Sequence, residues 1–286
     1  QKKVQKTHKG EKATFASSTG PEKVTEKDQF LWSALSLGDY EKAKKRIDDG
    51  ANPATAVGIE GFALLHLMAI ANDPDGVDDQ LDEGVSVDVT ADGHITALHL
   101  ASRLGNLAVA KLLVKRGADP MRADAQGYTS LHHAAAGGSI GVIKFLVGAR
   151  EMDVDADPTE TLTPLMAAVR AGRMDSVEFL VGKGADVNEP SLGGLTALHH
   201  AAEANQPEIA EYLIKKGCEP DQRDAFLKTP LHHAVEQCPE TESCLAVVEV
   251  LVDNGADRGA LDTDGKKPLD YAMYNDDAEL MEYLAK

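Results

Sequence analysis

The feature that most constrains this chain is a six-residue string that returns at a nearly fixed spacing. Thr96-Ala97-Leu98-His99-Leu100-Ala101 recurs as Thr129-Ser130-Leu131-His132-His133-Ala134 and as Thr163-Pro164-Leu165-Met166-Ala167-Ala168. It recurs again as Thr196-Ala197-Leu198-His199-His200-Ala201 and Thr229-Pro230-Leu231-His232-His233-Ala234. Weaker copies begin at Ala63 and Lys267, and the steps from 63 onward are 33, 33, 34, 33, 33 and 38. A period of this length belongs to stacked units, each of which buries its apolar face only against its neighbours. Length alone, 286 residues, suggests about two domains. The aromatic fraction of 5% argues against two globular cores and for layers of Leu, Ala and Val.

Each period reads the same way. Thr supplies an N-cap, Pro where present takes the first helical position, and Leu and Ala form a short apolar helix. Gly105, Gly138, Gly172 or Asn205 breaks it. An amphipathic run follows, such as Val109-Ala110-Lys111-Leu112-Leu113 or Ile209-Ala210-Glu211-Tyr212-Leu213, and ends where Gly117, Gly184, Gly217 or Gly255 can adopt a left-handed conformation. Ala118-Asp119-Pro120 and Ala185-Asp186-Val187-Asn188 then supply turn chemistry.

Thr-x-Leu-His-x-Ala followed by Gly-Ala-Asp-x-Asn at a period of 33 resembles the ankyrin repeat, over about residues 28–286. The resemblance implies an all-α solenoid of helix-turn-helix units with β-turn fingers. Eight units are expected, near 28–60, 61–93, 94–126, 127–160, 161–193, 194–226, 227–264 and 265–286. The first, around Leu31-Trp32-Ser33-Ala34, is read as a cap with a solvent-facing polar side of Glu41, Lys42, Lys44, Lys45 and Arg46. The last, with Asp270 in place of His and the acidic Asn275-Asp276-Asp277, is read as the opposite cap.

Two irregularities carry expectations. The step of 38 places about five extra residues at Cys238–Cys244, between the two helices of one unit. In the first full unit, Ala71–Gly76 interrupts the pair and Val77-Asp78-Asp79-Gln80-Leu81 makes a poor, acidic second helix, so this unit should be the loosest inside the array.

Charge, cysteines and motifs exclude several functions. Residues 1–27 carry seven Lys and three Glu, a net of +4, which leaves −22 on residues 28–286. Such a body repels nucleic acid, whose binding requires Lys and Arg against phosphate. No apolar run reaches the roughly 18 residues of a membrane span, so membrane insertion is not expected. Cys218, Cys238 and Cys244 lack zinc spacing and read as buried or idle thiols in an intracellular, reducing, cytoplasmic setting, or in an organelle interior after removal of a leader. Gln1 in place of Met reads as a fragment or a processed product.

No phosphate loop, nucleophile elbow, HExxH or calcium loop is present; Asp153, Asp155 and Asp157 lack the Gly and closing Glu of the last. No enzyme activity, cofactor or metal is expected. Five of the ten histidines, His66, His99, His132, His199 and His232, occupy the Leu-His position. There the resemblance implies a hydrogen bond to the Thr and contact with the next repeat.

The resemblance also implies that the residue before the Thr position projects from the finger toward a concave surface. That position holds Phe62, Ile95, Tyr128, Leu162, Leu195, Lys228 and Lys266. Neighbouring positions add Met121, Leu192, Phe226, Arg103, Leu104 and Arg170, with Gln126, Glu160 and Glu203 among them. A contiguous apolar row with Tyr, Phe and Arg is the composition of a protein-binding surface; the alternative is that these side chains are covered by adjacent fingers. The binding reading predicts that charge reversal at Tyr128 and Leu162 abolishes partner capture without lowering the melting temperature. Asn188, with Val187 before it and Leu180 eight residues back, resembles the asparagine hydroxylated in other ankyrin repeats.

Residues 1–27 are Lys-rich and poor in apolar groups, so they are read as a flexible basic tail able to dock on an acidic partner. Within them, Lys12-Ala13-Thr14-Phe15 resembles a docking motif of type 1 phosphatase regulators. Two functions stay open. One is a non-catalytic scaffold or adaptor, possibly a subunit of a larger complex, binding a protein with a basic or apolar surface or peptide segment. The other is a regulatory or targeting module of an enzyme, for example a phosphatase-type regulatory subunit or the ankyrin part of a longer chain.

Overall fold

The computed structural model describes residues 25–52, 56–149, 152–155, 162–238 and 244–286. Within them the chain forms sixteen α-helices in eight pairs, and the only β pairing is an isolated bridge between Thr90 and Thr96. The pairs are α1 (Glu26–Ser36) with α2 (Tyr40–Asp48), α3 (Leu64–Ala71) with α4 (Pro74–Asp82), and α5 (Ala97–Arg103) with α6 (Leu107–Lys115). Next come α7 (Ser130–Gly137) with α8 (Ile140–Ala149), α9 (Pro164–Arg170) with α10 (Met174–Gly182), and α11 (Ala197–Glu203) with α12 (Pro207–Lys215). The last two are α13 (Pro230–Glu236) with α14 (Leu245–Asp253) and α15 (Pro268–Tyr274) with α16 (Ala278–Leu284).

The repeated string starts each first helix as its chemistry requires. Thr96, Thr129, Thr163, Thr196 and Thr229 all sit at the N-cap with extended backbone, and Pro164 and Pro230 open their helices. The first helices from α3 to α15 pack in succession as one layer. Leu98, Leu131, Leu165, Leu198 and Leu231 are buried in it, each flanked by a buried Ala: Ala101, Ala134, Ala168, Ala201 and Ala234. Each such Leu contributes about 1.5–3 kcal/mol by leaving water, so small residues and Leu build the core without large rings.

Polar clasps join consecutive units where the helix ends leave carbonyls unpaired. At the turn inside a pair, Asn106 Nδ2 donates to Ala69 O (2.8 Å), Ser139 Oγ to Arg103 O (3.1 Å) and Arg173 Nε to Ala136 O (3.2 Å). At the turn after a pair, the side chains of Asp88, Asp155, Asn188 and Asp221 accept from the backbone N–H of Asp119, Asp186, Glu219 and Asp257 one unit later.

Several expectations change here. Helix α1 begins at Glu26, Thr25 forms a capping box with Asp28, and Lys27 Nζ donates to Asp49 O (2.8 Å), so residues 25–27 belong to the fold rather than to a tail. The segment Lys12–Phe15 lies outside the described residues. The cap's polar side does not simply face solvent, because Lys44 Nζ donates to Asn106 Oδ1 (2.8 Å) and Glu41 lies 3.5 Å from Arg173, on the turns within later pairs.

The acidic second helix of the first full unit is well formed. Asp73 caps α4 and Pro74 opens it, and Arg116 of α6 bridges Asp78 (2.6 Å) and Asp82 (2.7 Å), which turns its acidic character into a tie to the next unit. The five extra residues do fall between α13 and α14. The cysteines that bracket them, Cys238 and Cys244, are joined by a disulfide, while Cys218 is a buried free thiol. Cys238 and Cys244 are therefore not free thiols, while Cys218 is buried as expected. Alkylation of the denatured, unreduced protein is expected to label one thiol and alkylation after reduction three; three labels without reduction would contradict the pairing.

Candidate finger-face interface

The loops between pairs fold into fingers that stand side by side. Backbone N–H groups of Ala125, Ala225 and Thr263 donate to Gly93 O (2.8 Å), Gly193 O (2.9 Å) and Phe226 O (3.0 Å) of the preceding finger. In six described fingers the residue two places before the cap position is left-handed. Gly61, Gly127, Gly194 and Gly265 fill four of these positions, but His94 (φ 61°) and Leu227 (φ 59°) fill the other two. A left-handed Leu costs about 1–2 kcal/mol, so Leu227 is held there by the bonds of its finger.

The Leu-His histidines build the floor behind the fingers. Nδ1 of His66, His99, His132, His199 and His232 accepts from the backbone N–H of the cap residue three places earlier, at 3.0–3.2 Å. The proton therefore sits on Nε2, which donates to a carbonyl of the next unit: Ile95, Arg122, Leu162, Lys228 and Lys266 respectively. Both ring nitrogens are used within the array, which is a structural role. Burial, reinforced by the neighbouring histidine, pushes His99 down to about 3 and His199 down to about 4.

The second histidine of the paired His-His strings does something that the sequence reading missed. His133 Nε2 lies 2.9 Å from Asp124 Oδ2, and His233 Nε2 lies 2.9 Å from Asp224 Oδ2. The other oxygen of Asp124 accepts from the N–H of Gln126 (2.8 Å) and Tyr128 (2.9 Å), and that of Asp224 from Phe226 (2.8 Å) and Lys228 (2.8 Å). Asp262 repeats the arrangement with Asp264, Lys266 and the Tyr271 hydroxyl (2.6 Å). Burial pushes the Asp124 and Asp224 carboxyls up, but the histidine and backbone bonds outweigh it and hold both below the usual carboxylate range. Each Asp thus locks its finger shape and ties it to the helix behind. The signal was an Asp nine residues before the second His, a spacing shared by 124/133 and 224/233. Asp124→Ala, which strips three bonds and orphans a buried imidazole, is expected to cost about 2 kcal/mol, read as a fall in Tm of roughly 4–8 °C; an unchanged Tm would refute the tether.

The expected ladder of residues divides. Phe62 is 3% exposed, packed edge-on against Tyr40 and His66, and Leu162 is 5% exposed. Both are core, so charge reversal at Leu162 tests stability, not binding. Ile95 and Leu195 are half-buried. Tyr128 is half-buried too, stacked on His132 with rings 8° apart, its hydroxyl accepting from Arg170 Nη1 (3.1 Å). Arg103 and Leu104 are half-buried at the end of α5, and Arg170 is exposed. Lys228 is engaged by Glu236 (2.6 Å) and lies over the Tyr271 ring.

On the finger face the prominent apolar groups are at the tips, Leu192 at 78% exposure and Phe226 at 64%, with Leu227 at 43% beside it. Asn188 is half-buried, and its carboxamide bridges Gly217 O (2.9 Å) and Glu219 N (3.2 Å), the same clasp that Asp88, Asp155 and Asp221 make.

A continuous stack of helix pairs with β-turn fingers and an inter-unit histidine bond defines a repeat solenoid. Family models described as ankyrin repeats match residues 65–158, 151–224 and 227–263, more than half of the chain, and the chain belongs to the ankyrin repeat family. It is 32% identical over 166 residues to a zebrafish protein described as a putative palmitoyltransferase, ZDHHC13, covering 56% of this chain and 25% of that one. It is 41% identical over 93 residues to Notch homolog 1 of Xenopus tropicalis, covering 32% and 4%. The chain thus spans a quarter or less of these relatives. The human ASB11 ankyrin repeat domain superposes with a TM-score of 0.65 at 25% identity, over 78% of this chain and 97% of that one. Ankyrin arrays are protein-binding folds, and no helix among the described residues is long and apolar enough to cross a membrane.

Proposed function

We propose that this chain is a scaffold or adaptor that captures a partner protein on its finger face, chiefly through Leu192, Phe226 and Leu227, with Tyr128, Leu195 and Arg170 alongside. The observation that carries this reading is the exposure of large apolar side chains on adjacent fingers. Leu227 adds to it: its exposed side chain is presented from a strained, left-handed backbone, the kind of strain that gathers at functional sites. The body charge of −22 favours a partner whose wider surface is basic or apolar.

The double variant Leu192→Asp/Phe226→Asp is the test, measured by titration against the partner that co-purifies with the native chain. Loss of two exposed anchors is expected to weaken binding by about 30-fold or more with Tm unchanged. Undiminished affinity would refute the reading. A second reading, that the array regulates or targets an enzyme, draws on the palmitoyltransferase relative, in which a matching stretch forms a quarter of a longer chain.

A further inference from the structure

Among the described fingers, one keeps the histidine of the tether and lacks its carboxylate. Ser191 stands where Asp124, Asp224 and Asp262 stand in their fingers, yet the helix behind it still carries His200. In the finger 91–95 both partners are absent together, with Ala91 and Leu100 at these two positions. His200 is 4% exposed, and its Nε2 is buried without a hydrogen-bond partner. The backbone N–H groups of Gly193 and Leu195, whose equivalents bind the Asp carboxylate in three sister fingers, have no acceptor among the described residues. The backbone turn itself is intact, with Ser191 N–H donating to Leu195 O (2.8 Å) and Gly194 N–H to Ser191 O (2.8 Å).

By register, two backbone N–H donors and an unpartnered imidazole nitrogen therefore stand where a carboxylate is held in the sister fingers. We infer that the finger 191–195 and His200 form a carboxylate-accepting site, completed by an Asp or Glu side chain of the bound partner. The inference rests on the finger-face reading above and names one contact within it. The carboxylate enters across half-buried Ser191, whose small side chain leaves the room that the longer Asp fills elsewhere, and it accepts from Gly193 N–H and Leu195 N–H, and from His200 Nε2 in the ring form protonated there. His200 Nδ1 lies 3.3 Å from Glu203 Oε2, so the ring stands between Glu203 and the incoming carboxylate. Exposed Leu192 stands next to the entrance, which selects a partner segment in which the acidic residue is flanked by an apolar one. The local demand is thus opposite to that of the acidic body.

The site is read by amide and imidazole NMR on the whole chain, titrated with sodium formate against sodium chloride at matched ionic strength. Formate is expected to give saturable shifts at Gly193, Leu195 and His200, with fingers 124–128 and 224–228 unmoved. The amidated peptide acetyl-Leu-Glu-Leu should reproduce them and its Gln counterpart should not. Ser191→Asp fills the site from within: it should abolish both responses, raise Tm by about 2–4 °C and weaken partner binding about tenfold, while Ser191→Ala retains both responses. Equal shifts with chloride, no saturable shift with formate, or shifts that persist in Ser191→Asp would overturn the site. Binding of formate without the Glu peptide would overturn the partner side chain as its source. If Ser191→Asp binds the partner unchanged while Leu192→Asp/Phe226→Asp does not, this site falls and the finger-face reading stands.

Discussion

Lowering the pH from 7.5 to 5.0 is expected to remove about 4 kcal/mol of stability through two residues alone, His99 and His199. Both are buried neutral imidazoles whose folded values lie at about 3 and about 4, against 6.5 unfolded. Their folded values are depressed, so the unfolded chain binds more protons between those limits and 6.5. Stability is complete above 6.5 and is lost as the pH falls below it. At pH 5.0 each contributes about 1.5 pH units, or about 2 kcal/mol, to that loss. Burial also lowers His66 and His232, which act in the same direction. The depressed Asp124 and Asp224 carboxyls add a second loss only below about pH 4, where the unfolded carboxyls protonate. Thermal melts at pH 7.5, 6.0 and 5.0 check this, and a flat profile would contradict the buried-imidazole account.

Gly137→Ala is expected to destabilise the array by about 1–3 kcal/mol or more through overpacking. Gly137 is the last residue of α7, so helix propensity alone predicts that Ala gains up to about 1 kcal/mol there. Packing decides the opposite sign. A Cβ at this position would clash with the carbonyl oxygen of Arg103 and meet its carbon at 2.8 Å, both backbone atoms that cannot rotate away. Relief requires α5 and α7 to move apart, which breaks the layer shared by all the first helices. A control is Gly182→Ala, where the added atom meets nothing within 4 Å. The melting temperature of Gly137→Ala should fall and that of Gly182→Ala should not; equal effects would remove the close-approach argument.

The fold was legible because the same residues recur. Thr caps, Leu and Ala layers and the Leu-His bond each appeared five or more times, so a local pattern defined the stack. What periodicity could not give was the depth of a side chain between fingers. Phe62 and Leu162 share a repeat position with half-buried Ile95 and Leu195, yet the first packs between Tyr40 and His66 and both are buried. Burial there depends on the neighbouring unit's residues. The Asp–His tether was hidden for a related reason, because its two members belong to different elements and their nine-residue spacing crosses a turn. The α4 helix looked poor from its own acidic residues, and its partner, Arg116, lies one unit later. The inter-unit clasp made by the Asn188 carboxamide was hidden likewise, because its partners Gly217 and Glu219 lie one unit later.

Hydrogen-exchange footprinting of the chain in complex with its co-purified partner tests the central claim most directly. The account predicts slowed exchange on the fingers 191–195 and 224–228 and no change on the outward second helices α10 and α12. Protection confined to α10 and α12, with the finger amides exchanging as in the free chain, would contradict it.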